Sequence, residues 1–380
     1  MSGLPIENEA IVIGAGPAGL ATGACLKQAN IRTIILEQSE KVGSAWHRHY
    51  DRLHLHTDKK HSALPFLPYP KAYPRYPSRL QLIEYFESYA RHFELDIQFD
   101  QKVISAAYRN DHWEVQTQNT LYQATNIIVA TGYNREPVLP TLPGQNSFKG
   151  AIFHSSQYKN GEPFRGQRVL VVGFGNSGGE IALDLWEHGA QPGITVRNAV
   201  NIIPREVFGI PFLFIAISQS EIPSRLADAM NAPLVRLLIG DLSKHGLRKL
   251  PYGPVTQART YAHIPLIDVG TIKLIKEGHL AVYPAIEEFT QDGVKFTDGK
   301  QASFDAVILA TGFRPRVNTF LKLDSDIINE EGTPLQSGRE TSMPGLYFCG
   351  YYVSPTGMLR EIGIEARKIA ASIASREMSK

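Results

Sequence analysis

Ala10-Ile-Val-Ile-Gly-Ala-Gly-Pro-Ala-Gly19, followed by Thr33-Ile-Ile-Leu-Glu37, is the stretch whose reading decides the fold. A short β-branched apolar run leads into a glycine turn, and a helical pattern continues through Leu26, so the local order is strand, tight turn, helix. Gly14 permits the turn, Gly16 lets a pyrophosphate approach the backbone, and Gly19 lets the helix pack closely on the strand. The helix N-terminus then faces the anion. Glu37 closes the second strand at the offset of an acid that holds ribose hydroxyls.

The same grammar returns later in the chain. Arg168-Val-Leu-Val-Val172 reads as a strand, Gly173-Phe-Gly-Asn-Ser-Gly178 as the turn with Gly175 at its centre, and Glu180 to Trp186 as the helix. Asn176 and Ser177 open that helix, as donors to a phosphate or as caps. A further strand, Gly193 to Val196, ends in Arg197, which stands where Glu37 stands in the first unit. A carboxylate accepts from ribose hydroxyls and repels a 2'-phosphate, whereas a guanidinium binds that phosphate. The first unit is therefore expected to take FAD and the second NADPH. Each unit is closed by a matching strand, Asn126 to Gly132 and Asp305 to Gly312. Their Thr131-Gly132 and Thr311-Gly312 turns bring main chain near a dinucleotide at the sheet edge. The fold class is α/β, with two dinucleotide-binding, Rossmann-like domains.

Bulk properties agree with a folded enzyme. The chain has 380 residues, more than one core normally supports, with 43% hydrophobic and 20% charged. Its 39 basic residues nearly balance 37 acidic ones, which leaves no broad footprint for nucleic acid. The two cysteines, Cys25 and Cys349, have no paired spacing, so neither a disulfide framework nor the redox dithiol of a disulfide reductase is present. No Ser-His-Asp set, paired carboxylate or metal-ligand cluster stands out, as expected where a cofactor carries the chemistry. No secretory signal is visible, and the longest apolar stretch, Val207 to Ile217, falls short of the ~20 residues that span a bilayer. No transmembrane segment and a cytoplasmic location are expected, and a homo-oligomer is compatible with the composition. Val207 to Ile217 itself reads as a buried core helix, a lid over a substrate cleft, or a shallow membrane contact.

Between the units, Phe148-Lys-Gly150-Ala-Ile-Phe-His154-Ser-Ser-Gln-Tyr158 resembles the fingerprint of the class B flavin-dependent monooxygenases. Its Tyr158-Lys159 ending lacks the tryptophan of the Baeyer-Villiger branch. Leu53-His-Leu-His-Thr57, Tyr76-Pro-Ser-Arg79, Pro204-Arg-Glu206 and Leu266 to Thr271 make the chain most similar to YUCCA-like flavin-containing monooxygenases, over roughly residues 8–316. The resemblance implies an NADPH domain inserted into the FAD domain: 1–157 and 317–380 for FAD, 158–316 for NADPH, with helical cover near 206–262. It implies that NADPH reduces FAD, that a flavin hydroperoxide forms with O2, and that a small substrate takes one oxygen atom. Trp46, His56 and Thr57 are expected along the flavin, with Gly350 where the C-terminal segment returns to it. His154, Tyr158 and Arg314, on the crossovers between domains, are expected to position NADP, and with His56 they form the candidate catalytic set. Residues 350–363 depart from the plant YUCCA pattern. Oxygenation at nitrogen or sulfur is the expected class, and decarboxylation of an aryl 2-oxo acid such as indole-3-pyruvate, with Arg205 or Arg360 as the carboxylate partner, is the runner-up. An uncoupled NADPH oxidase and a non-enzymatic flavoprotein are the competing classes.

Overall fold

The computed structural model describes residues 6–377. β1 (Ile6–Ile13) is buried from Ala10 onward, as a strand covered on both faces must be. The glycine turn delivers the chain to α1 (Pro17–Gln28), whose first residue is a proline, suited to a position with no N–H partner to lose. β2 (Thr33–Leu36) returns parallel to β1. Continuing along the chain, β3 (Ile97–Gln98), β4 (Ser105–Arg109), β5 (His112–Gln116) and β6 (Leu121–Val129) complete a sheet of order β3-β2-β1-β6-β5-β4. Its centre is parallel and its β4-β5-β6 edge antiparallel.

A second sheet repeats the plan. β7 (Ala151–His154) leads to β8 (Arg168–Val172), α2 (Asn176–Glu187) and β9 (Gln191–Thr195). The cover follows as a small hairpin, Glu206–Val207 with Ile210–Pro211, and three helices: α3 (Phe212–Ser218), α4 (Ser224–Ile239) and α5 (Pro254–Tyr261). β10 (Ala281–Tyr283) and β11 (Ala306–Leu309) close an all-parallel sheet of order β10-β9-β8-β11-β7. β12 (Leu346–Phe348) then adds to β6 of the first sheet, and α6 (Met358–Glu377) seals its core through Leu359, Ile362 and Ile369 against Leu20 and Leu26.

Two expectations need correction. A first segment reaching residue 157 is too long, because the backbone of β7 pairs with β11 and so belongs to the second sheet. Earlier in the chain, after β6, Glu136–Pro137 pairs antiparallel with Phe313–Arg314, which follows β11 (Ala306–Leu309) of the second sheet. Val207 to Ile217 is not one element: it begins in the hairpin, turns at Phe208–Gly209, both with positive φ, and enters the seven-residue α3 only after Pro211. Phe212 is 6% exposed while Phe208 is 79% and Phe214 50% exposed, so the stretch presents one packed face and one solvent face. No helix among the described residues is long and apolar enough to cross a membrane.

The two glycine turns are near copies. Gly14 and Gly173 have φ of +105° and +109°, a conformation that favours glycine. A Cβ on Gly19 would lie 1.8 Å from the Gly14 carbonyl oxygen, and one on Gly178 2.0 Å from that of Gly173. Gly19→Ala should therefore push α1 off β1 and cost about 3 kcal/mol, since backbone cannot yield as a side chain can. Thermal denaturation followed by circular dichroism checks this, and an unchanged Tm would show that the close approach is not required.

Candidate active site

The glycine turns end in helices with unshared donors. The N-cap residues of α1 and α2 are Gly16 and Gly175, neither helix has a side-chain cap, and a Cβ at either glycine would meet nothing within 4 Å. Free N–H groups at the positive end of a helix dipole, facing open space, form a cradle for a phosphate. Both open on a cavity of about 710 Å³ between the two sheets. The residues present thus fit two dinucleotides, one at each turn.

Glu37 is buried at the end of β2 and braces the first turn: its carboxylate accepts from Ala15 N at 2.7 Å, Ser39 N at 3.0 Å and Ser39 Oγ at 2.8 Å. It still lines the cavity, together with Gly14, Gly16, Trp46, His56, Thr57, Thr131, Gly132 and Gly350 from the first unit and Gly175 and Asn176 from the second. Trp46 packs against Phe86 with ring centroids 5.7 Å apart. Thr131 Oγ1 is 2.8 Å from the Tyr351 hydroxyl, and Gly350 N donates to Glu365 Oε2 at 2.6 Å. Gly19, Gly173 and Gly178 shape the turns from behind.

Several expected site residues lie elsewhere. His154 is buried and off the cavity: Ser156 N donates to its Nδ1 at 3.1 Å, and its Nε2 donates to Gly312 O at 3.1 Å. With both ring nitrogens hydrogen bonded, it ties β7 to the Thr311-Gly312 turn. Thr311 Oγ1 donates to Val138 O at 2.6 Å, so that turn is bound to the linker and does not face the cavity. Tyr158 is buried in the second core and donates to Asp184 Oδ2 at 2.6 Å. Arg314 is ion-paired with Glu331 at 2.9 Å on the surface. Asn176 lines the cavity, yet its side chain neither caps nor points free: Oδ1 accepts from Ile267 N at 2.7 Å, and Nδ2 donates to Pro265 O at 3.3 Å. Ser177 is hydrogen bonded to the buried Tyr50.

Arg197 also shifts. β1 pairs Ile13 with Leu36, and β8 pairs Val172 with Thr195, so Val196 and not Arg197 stands opposite Glu37. One residue along a strand reverses the side chain: Val196 is buried, and Arg197 is exposed. Neither Arg205, over the Tyr76 ring at 4.3 Å, nor Arg360, paired with Glu361 at 2.7 Å, lines the cavity.

The seam between the units carries residues that sequence reasoning missed. Glu180, buried one turn into α2, accepts from His56 Nε2 at 2.5 Å and is hydrogen bonded to Tyr50. Glu187, two turns further on, takes two bonds from Arg52, each 2.8 Å. Lys159 reaches back to the carbonyls of His47 and Arg48 at 3.2 and 3.0 Å. The helical spacing of Glu180 and Asp184 is visible in the sequence, but acids on a helix ordinarily mark its solvated face, so their burial was not legible.

The model of the family described as pyridine nucleotide-disulphide oxidoreductase matches residues 11–203. Indole-3-pyruvate monooxygenase YUCCA1 of Oryza sativa subsp. japonica is 42% identical over 328 residues, 85% of this chain and 81% of that protein. The chain belongs to the YUCCA-like flavin monooxygenases. A second YUCCA-like relative, probable indole-3-pyruvate monooxygenase YUCCA1 of Arabidopsis thaliana, is 40% identical over 96% of this chain and 89% of its own length. A solved flavin-containing monooxygenase from Stenotrophomonas maltophilia shares the fold, with a TM-score of 0.75 at 23% identity over 98% of this chain and 99% of that one. This YUCCA-like chain is accordingly an FAD- and NADPH-dependent monooxygenase.

Gly16→Val should fold as the parent does, since the added atoms enter open space, and purify colourless, because they fill the cradle for the flavin's pyrophosphate. A flavin spectrum at full occupancy would show that this turn is not the FAD site.

Burial pushes the His49 imidazole down to about 4, with Arg79, Lys159 and Arg48 adding to the shift and Glu180 opposing it, and burial also lowers His47 and His154. Unfolded, these rings take up protons as the pH falls through about 6.5, while the folded ones resist. The unfolded state then binds more protons, so stability is full above about 6.5 and is lost as the pH falls toward 4. A Tm profile should decline across that window, and His49→Asn should flatten part of the decline. A flat parent profile would show that His49 is not held neutral.

Proposed function

We propose that this monooxygenase acts on an aryl 2-oxo acid of the indole-3-pyruvate kind, releasing CO2 and leaving the carboxylic acid shorter by one carbon. The observation that carries the reading is the identity of about two residues in five, over most of both chains, to relatives named for that reaction. When bound, FAD takes hydride from NADPH and passes electrons to O2, one oxygen atom going to the substrate and the other leaving as water.

The protein's part follows from the cavity. We assign the N–H groups behind Gly16 to the FAD pyrophosphate and Glu37 to its ribose hydroxyls. The N–H groups behind Gly175 go to the NADPH pyrophosphate, and Arg197 goes to the 2'-phosphate. In this reading the second unit, taken from the linker ahead of β7 to the linker at Phe313–Arg314, is inserted into the first. His56–Glu180 and Arg52–Glu187 then hold the two cofactor sites in register across the seam. Ile203, Phe212 and Ile267 line the cavity and keep water from the reacting centre. Arg48 and Arg135 are the arginines that line it, and they are the cations available to a substrate carboxylate.

One observation favours a second reading, oxygenation of a neutral amine or sulfide: Arg205 and Arg360 are both turned away from the cavity. Labelled O2 with indole-3-pyruvate, phenylpyruvate, trimethylamine and thioanisole, assayed by mass spectrometry alongside NADPH consumption, separates the two. The expected result is label in the arylacetic acids with matched NADPH use. Label only in amine or sulfide oxides selects the second reading, and peroxide without product rejects both.

A further inference from the structure

The chain as a whole is close to neutral, yet one edge of the second unit is not. The loop between α4 and α5 contains Lys244, His245, Arg248 and Lys249 within six residues. Leu242 and Leu247 are buried in the second core and fix its path, while Arg248 and Lys249 remain exposed. Its backbone is stitched to the segment after β9, because Val200 N donates to Arg248 O at 2.8 Å. Arg248 Nη2 in turn donates to the carbonyl of Arg197 at 2.9 Å. The Arg248 guanidinium is thereby held against the backbone of Arg197, just past the end of β9. Neither arginine has a carboxylate partner among the described residues, although most arginines at the domain seam and linkers do.

A guanidinium held in place by a buried loop, with no acidic partner and with a second exposed arginine on the segment it touches, is open to an anion that reaches this strand end. A phosphate monoester offers enough oxygen acceptors to engage both forks. We propose that Arg248 is a second guanidinium of the 2'-phosphate site, so that selection of NADPH over NADH is shared between the strand end and the loop ahead of α5. This rests on the assignment of Arg197 to that phosphate. It goes beyond it by making the cover a reader of the coenzyme as well as a roof over the cavity.

The test uses the full-length, FAD-loaded protein. Calorimetry compares binding of adenosine 2',5'-bisphosphate with that of 5'-AMP to the parent and to Arg248→Gln, Arg248→Lys and Arg197→Ala. For an exposed charge-assisted contact, Arg248→Gln should weaken the bisphosphate about five- to tenfold and leave 5'-AMP nearly unchanged. Arg248→Lys should restore most of the loss, because the positive charge returns, and the ratio of kcat/KM for NADPH to that for NADH should fall in parallel with the bisphosphate affinity. Equal weakening of both ligands by Arg248→Gln would make Arg248 a prop for the loop and overturn the inference. If Arg197→Ala alone loses the bisphosphate, the inference fails while the Arg197 assignment stands. If neither variant loses it, the assignment fails and takes the inference with it.

Discussion

Unshared backbone N–H groups at the start of a helix are costly unless something accepts from them, and in this chain they are left open twice, behind Gly16 and behind Gly175. Much else serves that arrangement. The helices can stand so close to their strands only because Gly19 and Gly178 carry no side chain. Parallel strands buried on both faces place the two turns at the same edge of their sheets, and Glu37 completes the first by accepting from the turn itself. The cavity is the space left when two such edges face each other.

What holds the edges in relation is a set of polar contacts, and this is unusual chemistry for the middle of a protein. Buried carboxylates are tolerated only when paired. Glu180 meets His56 and Tyr50, and Asp184 meets Tyr158, so α2 has the seam on one side and its own core on the other. The fingerprint residues His154 and Tyr158 belong to this supporting order: they place backbone and helix, and other groups face the cavity.

Most of the fold was legible because its signals are local. Thr33–Leu36 and Arg168–Val172 appear as strands over the very residues their β-branched composition marks, and the glycine turns repeat at the expected places. Long-range choices were harder to read. A short run such as Ala151–His154, apolar in its first three residues, carries no mark of which sheet it joins, so the first segment was drawn too long. Arg197 was placed one residue off because strand registry is settled by pairing, not by counting from a glycine. Gly14, Gly16, Gly175 and Glu37 fell on the cavity since backbone geometry alone puts them there. His154, Tyr158 and Arg314 did not, because a motif names side chains without saying where they point.

The linkers themselves have a mechanical consequence. Glu136–Pro137, which follows the first sheet's β6, and Phe313–Arg314, which follows the second sheet's β11, are hydrogen bonded to one another. A single thread would act as a swivel. Two threads zipped together act as a leaf hinge, soft to bending about one axis and stiff to torsion. The pairing thereby holds the two sheet edges that line the cavity at one relative alignment.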